Sequence, residues 1–213
     1  GRSPDGETVH APTPAARSLG LLDGLKIVAH NSEAKDRAER LAVGQAPVVF
    51  DTAEAITSAF FAGRCQVYTT DMSDLAGART KAPKADDYVI LPQVISKEPL
   101  GPAIRQDDPQ WLNIVKWTHF AMVNAEELGV SQKTIDAALK TSKPEVRRLV
   151  GTDGNFGEQI GLTKDWVVRI IRHVGNYAES YDRNVGVKTP LGIPRGLNQN
   201  WLAGGILYAP PIR

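Results

Sequence analysis

Hydrophobic positions in the first ninety residues fall in short bursts separated by stretches of helical period. Leu25 to His30, Val48 to Phe50, Cys65 to Thr70 and Tyr88 to Leu91 are β-branched or aromatic runs of strand length. Between them the pattern changes. Asn31 or Ser32 caps a helix through Ala34 to Leu41. Asp51 with Glu54 three residues on forms a capping box for a helix whose apolar face is Ala53, Ile56, Ala59 and Phe60. Gly63 ends that helix, and a further short helix runs from Met72 to Arg79. Strands alternating with helices over about seventy residues predict a mostly parallel sheet covered on both faces.

The rhythm breaks at ISKEPLGPAIRQ, residues 95 to 106, where Pro99, Gly101 and Pro102 mark a crossing between two compact units. Beyond it the pattern is helical. Asp107 or Asp108 caps a helix with Pro109 at its first position, and its stripe is Trp111, Val115, Thr118, Met122, Ala125 and Leu128, ended by Gly129. Ser131 opens a helix to about Lys140, and Ser142 with Glu145 forms a second capping box before Val146 to Val150. Thr163 caps the longest helix, with Val167, Ile170, Ile171, Val174, Ala178, Tyr181 and Val185 on one face until Gly186. The tail from Pro190 to Arg213 is rich in turns. Gly1 to Ser18, with three prolines and no periodicity, reads as a flexible lead-in.

Composition narrows the chemistry. At 213 residues, 42% hydrophobic and 23% charged, the chain is an ordinary globular protein of one large or two small domains. A net charge of +1 gives no general attraction for nucleic acid. Apolar runs are too short to span a bilayer. His10, His30, His119 and His173 share no metal-ligand spacing with each other or with Cys65, so no metal is expected. The calcium-like run at Asp153, Asn155 and Gly157 fails, because Glu158 stands where a glycine is needed for the turn. No G-x-S-x-G elbow and no phosphate loop occur, so no catalytic residue and no cofactor are assigned. Cys65 suits a small core position, and Trp111 and Trp117 on one helix suit the core better than a ligand platform.

One acid stands out. Asp71, beside Thr70, falls at the carboxyl end of the strand Cys65 to Thr70, where ligands bind in open α/β sheets. Capping the helix at Met72 is the other use of that position, and spacing alone leaves both readings open.

GRCQVYTTD (63–71), YVILPQVISKEPLGPAIRQDDPQW (88–111), VGNYAESYDRNVG (174–186) and GGILYAPPIR (204–213) resemble, in this order, the general L-amino-acid-binding proteins of bacterial ABC transporters. The resemblance covers most of the chain from Leu21 onward. It implies an α/β fold of the type II periplasmic-binding-protein class, with one lobe plus the C-terminal part of the other. The implied organisation is a flexible lead-in over 1–18, the second lobe over 19–95, a hinge crossing over 96–106 and the C-terminal part of the first lobe over 107–213. Asp71 then matches the acid that receives the ligand's α-amino group, which suits a carboxylate facing an ammonium as water leaves.

Three departures qualify what the resemblance implies. Nothing resembling the family's opening first-lobe segment, with its carboxylate-pairing arginine, precedes Leu21. Where the family has a Gln, a small residue, Gly and two threonines to grip the carboxylate, this chain reads His30, Asn31, Ser32, Glu33, Ala34. Ser32 and main-chain NH groups can still donate there, whereas Glu33 opposes an anion. Cys65 matches a cysteine bridged in the family to a position that is Val28 here. The implied ligand-lining set is therefore Asp71, Thr70, Asn31, Ser32 and Glu33. The implied function is capture of an L-amino acid, with a weakened grip, in the periplasm for an ABC importer and its membrane permease, without enzymatic chemistry. The alternatives are an interaction protein that binds a partner chain, or a dehydratase-like enzyme on the same fold, for which only Asp71 and Glu33 offer an acid and base pair. A homodimer or a fragment carrying the missing lobe segment is expected to cover the stripes on 109–128 and 164–185.

Overall fold

The computed structural model describes residues 9–10, 27–30, 48–92 and 100–213. The chain divides into two compact units, Gly1–Leu100 and Gly101–Arg213. The division falls inside the Pro- and Gly-rich segment expected to form the crossing. Most of that segment before Leu100 lies outside the described residues, as does the helix expected over 34–41.

The first unit is built on a parallel sheet of four described strands, β1 (Val9–His10), β2 (Ile27–His30), β3 (Val48–Phe50) and β4 (Val67–Thr69), in the order β1, β4, β2, β3. Registers pair Val9 with Val67, Ile27 with Val67, and Val28 with Val48. β4 thus lies between two neighbours, and its three residues are all buried, as a central strand requires. Val9 and His10, within the stretch expected to carry no regular structure, form an edge of this sheet. Two residues between polar and proline-bearing flanks show no strand period of their own; pairing with β4 supplies the order.

Helix α1 (Ala53–Phe61) buries Ile56, Ala59 and Phe60, while Ala53 is exposed. The Asp51 capping box does not form. Thr52 is the cap, its Oγ1 accepting from Ala55 N at 3.2 Å, which shifts the helix start one residue on. The C-terminus is a Schellman turn: Arg64 N donates to Ala59 O at 3.0 Å and Gly63 N to Phe60 O at 3.0 Å, with Gly63 at φ 74°. Helix α2 (Met72–Thr80) buries Leu75 and Ala76. The run Tyr88 to Leu91 is not a strand: it leaves a 3-10 turn, Ala85–Asp87, in extended conformation without joining the described sheet. Tyr88 is buried there as a core ring.

The regular elements of the second unit are helices, joined by turns and extended segments, with one isolated bridge between Asn200 and Leu207. Helix α3 (Pro109–Glu127) begins at Asp108, whose Oδ1 accepts from Trp111 N at 2.9 Å. Short helices α4 (Ile135–Ala138) and α5 (Pro144–Leu149) follow, then α6 (Trp166–Val174) and α7 (Tyr177–Asn184). α3 packs on both α6 and α7. The core joins Ala121, Ala125, Val130, Ile135, Leu149, Trp166, Val167 and Ile171.

Four helical expectations change. The Ser131 helix shrinks to α4, because Ser131 and Thr134 bond each other and Gly129 O in a turn instead. The Ser142 box is replaced by Lys143 at the cap position with Pro144 at N1. The helix expected to run from Thr163 to Gly186 is two helices. Its first cap position is Asp165, and Thr163 Oγ1 bonds the Asp165 carboxylate at 2.6 Å. It breaks at Gly175 (φ 81°), after which Asn176 and Glu179 form a true capping box. Finally, Trp111 is 49% exposed rather than buried, while Trp117 packs against the core. Of the two predicted stripes, Ala125, Val167 and Ile171 are fully buried within the unit, Val174 is exposed, and the other members apart from Trp111 are partly buried.

Candidate functional site

Chain order and strand order together mark out a candidate site. From β2 the chain moves to β3 on one side, then crosses back to place β4 on the other side of β2. The direction of winding therefore reverses between β2 and β4, and it is outside the carboxyl ends of strands at such a reversal that open α/β sheets bind ligands. The residues following those ends are Asn31, Ser32 and Glu33 after β2, and Thr70 and Asp71 after β4. Asn31, Ser32 and Glu33 lie outside the described residues. Thr70 and Asp71 are described and sit where the sequence placed them.

Asp71 is half-buried and extended (φ −59°, ψ 149°), and it occupies the cap position of α2. Its carboxylate makes no capping bond to that helix, whereas its main-chain oxygen accepts from Leu75 N at 2.9 Å. The backbone of the acid is thus fixed by the helix while the side chain is not spent as the cap. Thr70 Oγ1 donates to Asp74 Oδ2 at 3.4 Å, one turn along α2. Thr69 before it is a buried polar residue at 7% exposure.

The electrostatic character of this end of β4 is registered by Tyr68. Its hydroxyl is pushed above the ordinary value of 10.0, first by burial, then by the negative charges of Asp74 and Asp71, against a lowering bond from Thr57. Both carboxylates therefore bring negative charge to this end of β4, which favours a cationic group such as an ammonium over an anion. Among the described residues no group of three His, Cys, Asp or Glu could hold a metal, and none of the second unit's helices is long and apolar enough to cross a membrane. Cys65 is a core residue at 3% exposure, packed in the cluster with Ile56, Phe60 and Tyr68. What the sequence alone did not show is the reversal at β2 and β4, since strand order is a non-local property.

No family model matches the chain. It is 49% identical over 169 residues to the "General L-amino acid-binding periplasmic protein AapJ" of Rhizobium johnstonii, a match covering 78% of this chain and 50% of that protein. It is 42% identical over 211 residues to the "Glutamate/glutamine/aspartate/asparagine-binding protein BztA" of Rhodobacter capsulatus, covering 98% of this chain and 58% of that one. Among solved structures, an ABC transporter periplasmic binding protein from Brucella ovis with glutathione bound superposes with a TM-score of 0.79 at 43% identity, over 90% of this chain and 62% of that one. The chain spans about half the length of the curated relatives it matches. The α/β periplasmic-binding-protein fold expected from the sequence is the fold of this chain.

Proposed function

We propose that this chain, a partial-length homologue of the amino-acid-binding periplasmic proteins of ABC transporters, supplies the ammonium-recognising part of an L-amino-acid site. It works in the periplasm as solute-capturing component of an importer, delivering to a membrane permease and carrying out no chemistry of its own. The observation that carries this reading is the half-buried Asp71 directly after β4 at the switch point, in a chain 49% identical to an amino-acid-binding relative. The names of the relatives support a binding role rather than catalysis.

Glu33 and Ser32 bear on the ligand's other end. A carboxylate in the chain following β2 opposes an anionic group, so the grip on an α-carboxylate is weak and affinity for free amino acids falls short of micromolar. The glutathione of the Brucella relative also carries a free α-amino-acid end, so glutathione belongs in the ligand panel beside the common amino acids.

The test is a titration followed by 15N–1H NMR shifts, which reach millimolar dissociation constants. Unmodified chain is expected to bind at least one ligand of the panel weakly, with shifts at Thr70 and Asp71. Asp71→Asn should weaken that binding by roughly 1.5 to 3 kcal/mol, the worth of a hydrogen bond to a charged group. Equal affinity in the variant removes Asp71 from the site. Micromolar or tighter binding by the unmodified chain refutes the weakened grip, and no shift with any ligand refutes the reading for this chain.

A further inference from the structure

The run at Asp153, Asn155 and Gly157 fails as a calcium loop, yet it opens with a bond of distinct reactivity. Among the described residues Asp153 is the one aspartate followed by glycine. The others precede a residue with a side chain, as in Asp71–Met72, Asp136–Ala137, Asp165–Trp166 and Asp182–Arg183. Such a side chain shields the main-chain nitrogen of its own residue from the preceding carboxyl group, and glycine has none. The surroundings leave the bond open. Residues 152 to 155 form an exposed bend between α5 and the 3-10 turn Glu158–Ile160. Thr152 N and Asp153 N donate to Arg147 O at 3.0 and 3.3 Å, which ties the chain as far as Asp153 to α5. There the ties stop. Among the described residues Gly154 N donates to no acceptor, and the Asp153 carboxylate takes part in no hydrogen bond or ion pair. Other acids of this unit are engaged: Asp136 pairs with Arg172 at 2.7 Å, and Asp165 is held by Thr163 and Arg169. The turn also demands its glycine. Gly154 sits at φ 82°, and a Cβ there would lie 2.5 Å from Cε2 of the Phe156 ring, so the shape of the turn requires the residue that makes the bond reactive.

We propose that Asp153–Gly154 is a modification site, at which the folded chain slowly converts Asp153 to isoaspartate without an enzyme. The first step is an internal acylation. Gly154 N attacks Asp153 Cγ and loses its proton, a side-chain carboxyl oxygen leaves as water, and a five-membered succinimide closes. Water then opens the ring at either carbonyl. Attack at the α-carbonyl leaves Gly154 joined through Asp153 Cγ, which is isoaspartate, whereas attack at the other carbonyl restores aspartate. One water is lost and one regained, nothing is oxidised, and mass and charge are unchanged. The main chain is longer by one carbon. That carbon enters directly before the glycine that seats Phe156, whose ring packs against the core of the second unit.

The test ages the unmodified chain at about pH 7.4 and about 37 °C for several weeks, with far-UV CD showing that it stays folded. Samples are digested and mapped by electron-transfer mass spectrometry, whose backbone fragments tell isoaspartate from aspartate at a given position. The expected result is isoaspartate at Asp153 that rises with time. Asp153→Glu, which would have to close a six-membered ring, should show no such product there. Asp153→Asn should close the same five-membered ring by losing ammonia, gaining about 1 Da at this position sooner than the unmodified chain isomerises. A synthetic peptide of residues 148–160, aged alongside, reports the bond free of the fold. If the peptide converts while the folded chain stays unconverted at Asp153, the turn protects the bond and the proposal is overturned. So is it if Asp153→Asn keeps its amide throughout.

Discussion

The two units hold themselves together by different means. In the first, the described core is a cluster of rings: Phe60 meets Phe61, Tyr68 and Tyr88 at centroid distances of 5.7, 5.7 and 5.5 Å, with Ile56, Cys65 and Leu75 around them. In the second, the core is mainly aliphatic, and distant parts of the chain are clasped by side chains bonding to main chain. Asn176 Nδ2 reaches Val130 O at 2.9 Å, Gln132 Nε2 reaches Arg172 O at 3.0 Å, and the Glu179 carboxylate accepts from Gln132 N. The first unit places Thr70 and Asp71 after a buried central strand, whereas the second spends polar side chains on bonds that tie its own segments together. All four tryptophans, Trp111, Trp117, Trp166 and Trp201, lie in the second unit, so indole fluorescence reports on that unit selectively.

Core truncations test the comparison most severely. Phe60→Ala removes the ring around which the first unit's cluster is arranged and should cost about 3 to 5 kcal/mol, read by far-UV CD in guanidinium. Ile171→Ala in the second unit should cost about 2 to 5 kcal/mol, read in the tryptophan-detected transition. If Phe60→Ala leaves the CD transition in place, the aromatic cluster is not the core of the first unit. A smaller loss, about 1 to 3 kcal/mol, is expected for Gly157→Ala. There a Cβ would run into the main-chain oxygen of Thr163, which cannot move without the backbone, and into the Trp166 ring at 2.5 Å from Cδ1. The clasps rank next. Asn176→Ala deletes both the cap of α7 and the bond to Val130 O, for about 1 to 2 kcal/mol, and an unchanged fluorescence midpoint would show the clasp to be idle.

The same contrast explains what could be read from the chain beforehand. Features with a local cause were legible: Gly63 ending α1, Asp108 with Pro109 opening α3, and Asp71 after β4 each follow from a few adjacent residues. Features decided at a distance were not. Val9 and His10 become a strand only because β4 lies beside them, and the switch point exists only in the strand order. Trp111 looks like core by its period, yet it sits in the first turns of α3, ahead of the part that packs on the unit's core. The break at Gly175 is a separate case, because Gly175, Asn176 and Glu179 spell a helix end and a capping box in the sequence itself. The continuous apolar stripe from Val167 to Val185 masks that signal, since a period of 3.6 carries across a one-residue break almost undisturbed.

The smallest expected effect is one of pH, and on the acid side it is read in the second unit. His119 on α3 packs its ring edge to face on Tyr177 at 5.7 Å and against Phe120, and burial holds its pKa below the ordinary 6.5. Arg195 lies over the same Tyr177 ring at 5.3 Å, so protonating His119 would bring a second cation to that ring. The folded state therefore prefers the neutral imidazole. Its contribution is fully present above the unfolded value of about 6.5 and is lost as pH falls through that value and then through the lower folded one. Because much of the ring remains in contact with water, the loss is modest. On the alkaline side the units do not separate: burial raises Tyr68 in the first and Tyr177 and Tyr181 in the second, and each favours the folded state below pH 10 and loses that preference above it. The measurement is the tryptophan-detected guanidinium midpoint at about pH 7.5 and about pH 5.5, for the unmodified chain and for His119→Gln. The unmodified chain should lose more stability across that interval than the variant, whereas equal losses would mean that the packing of His119 on Tyr177 carries no pH dependence.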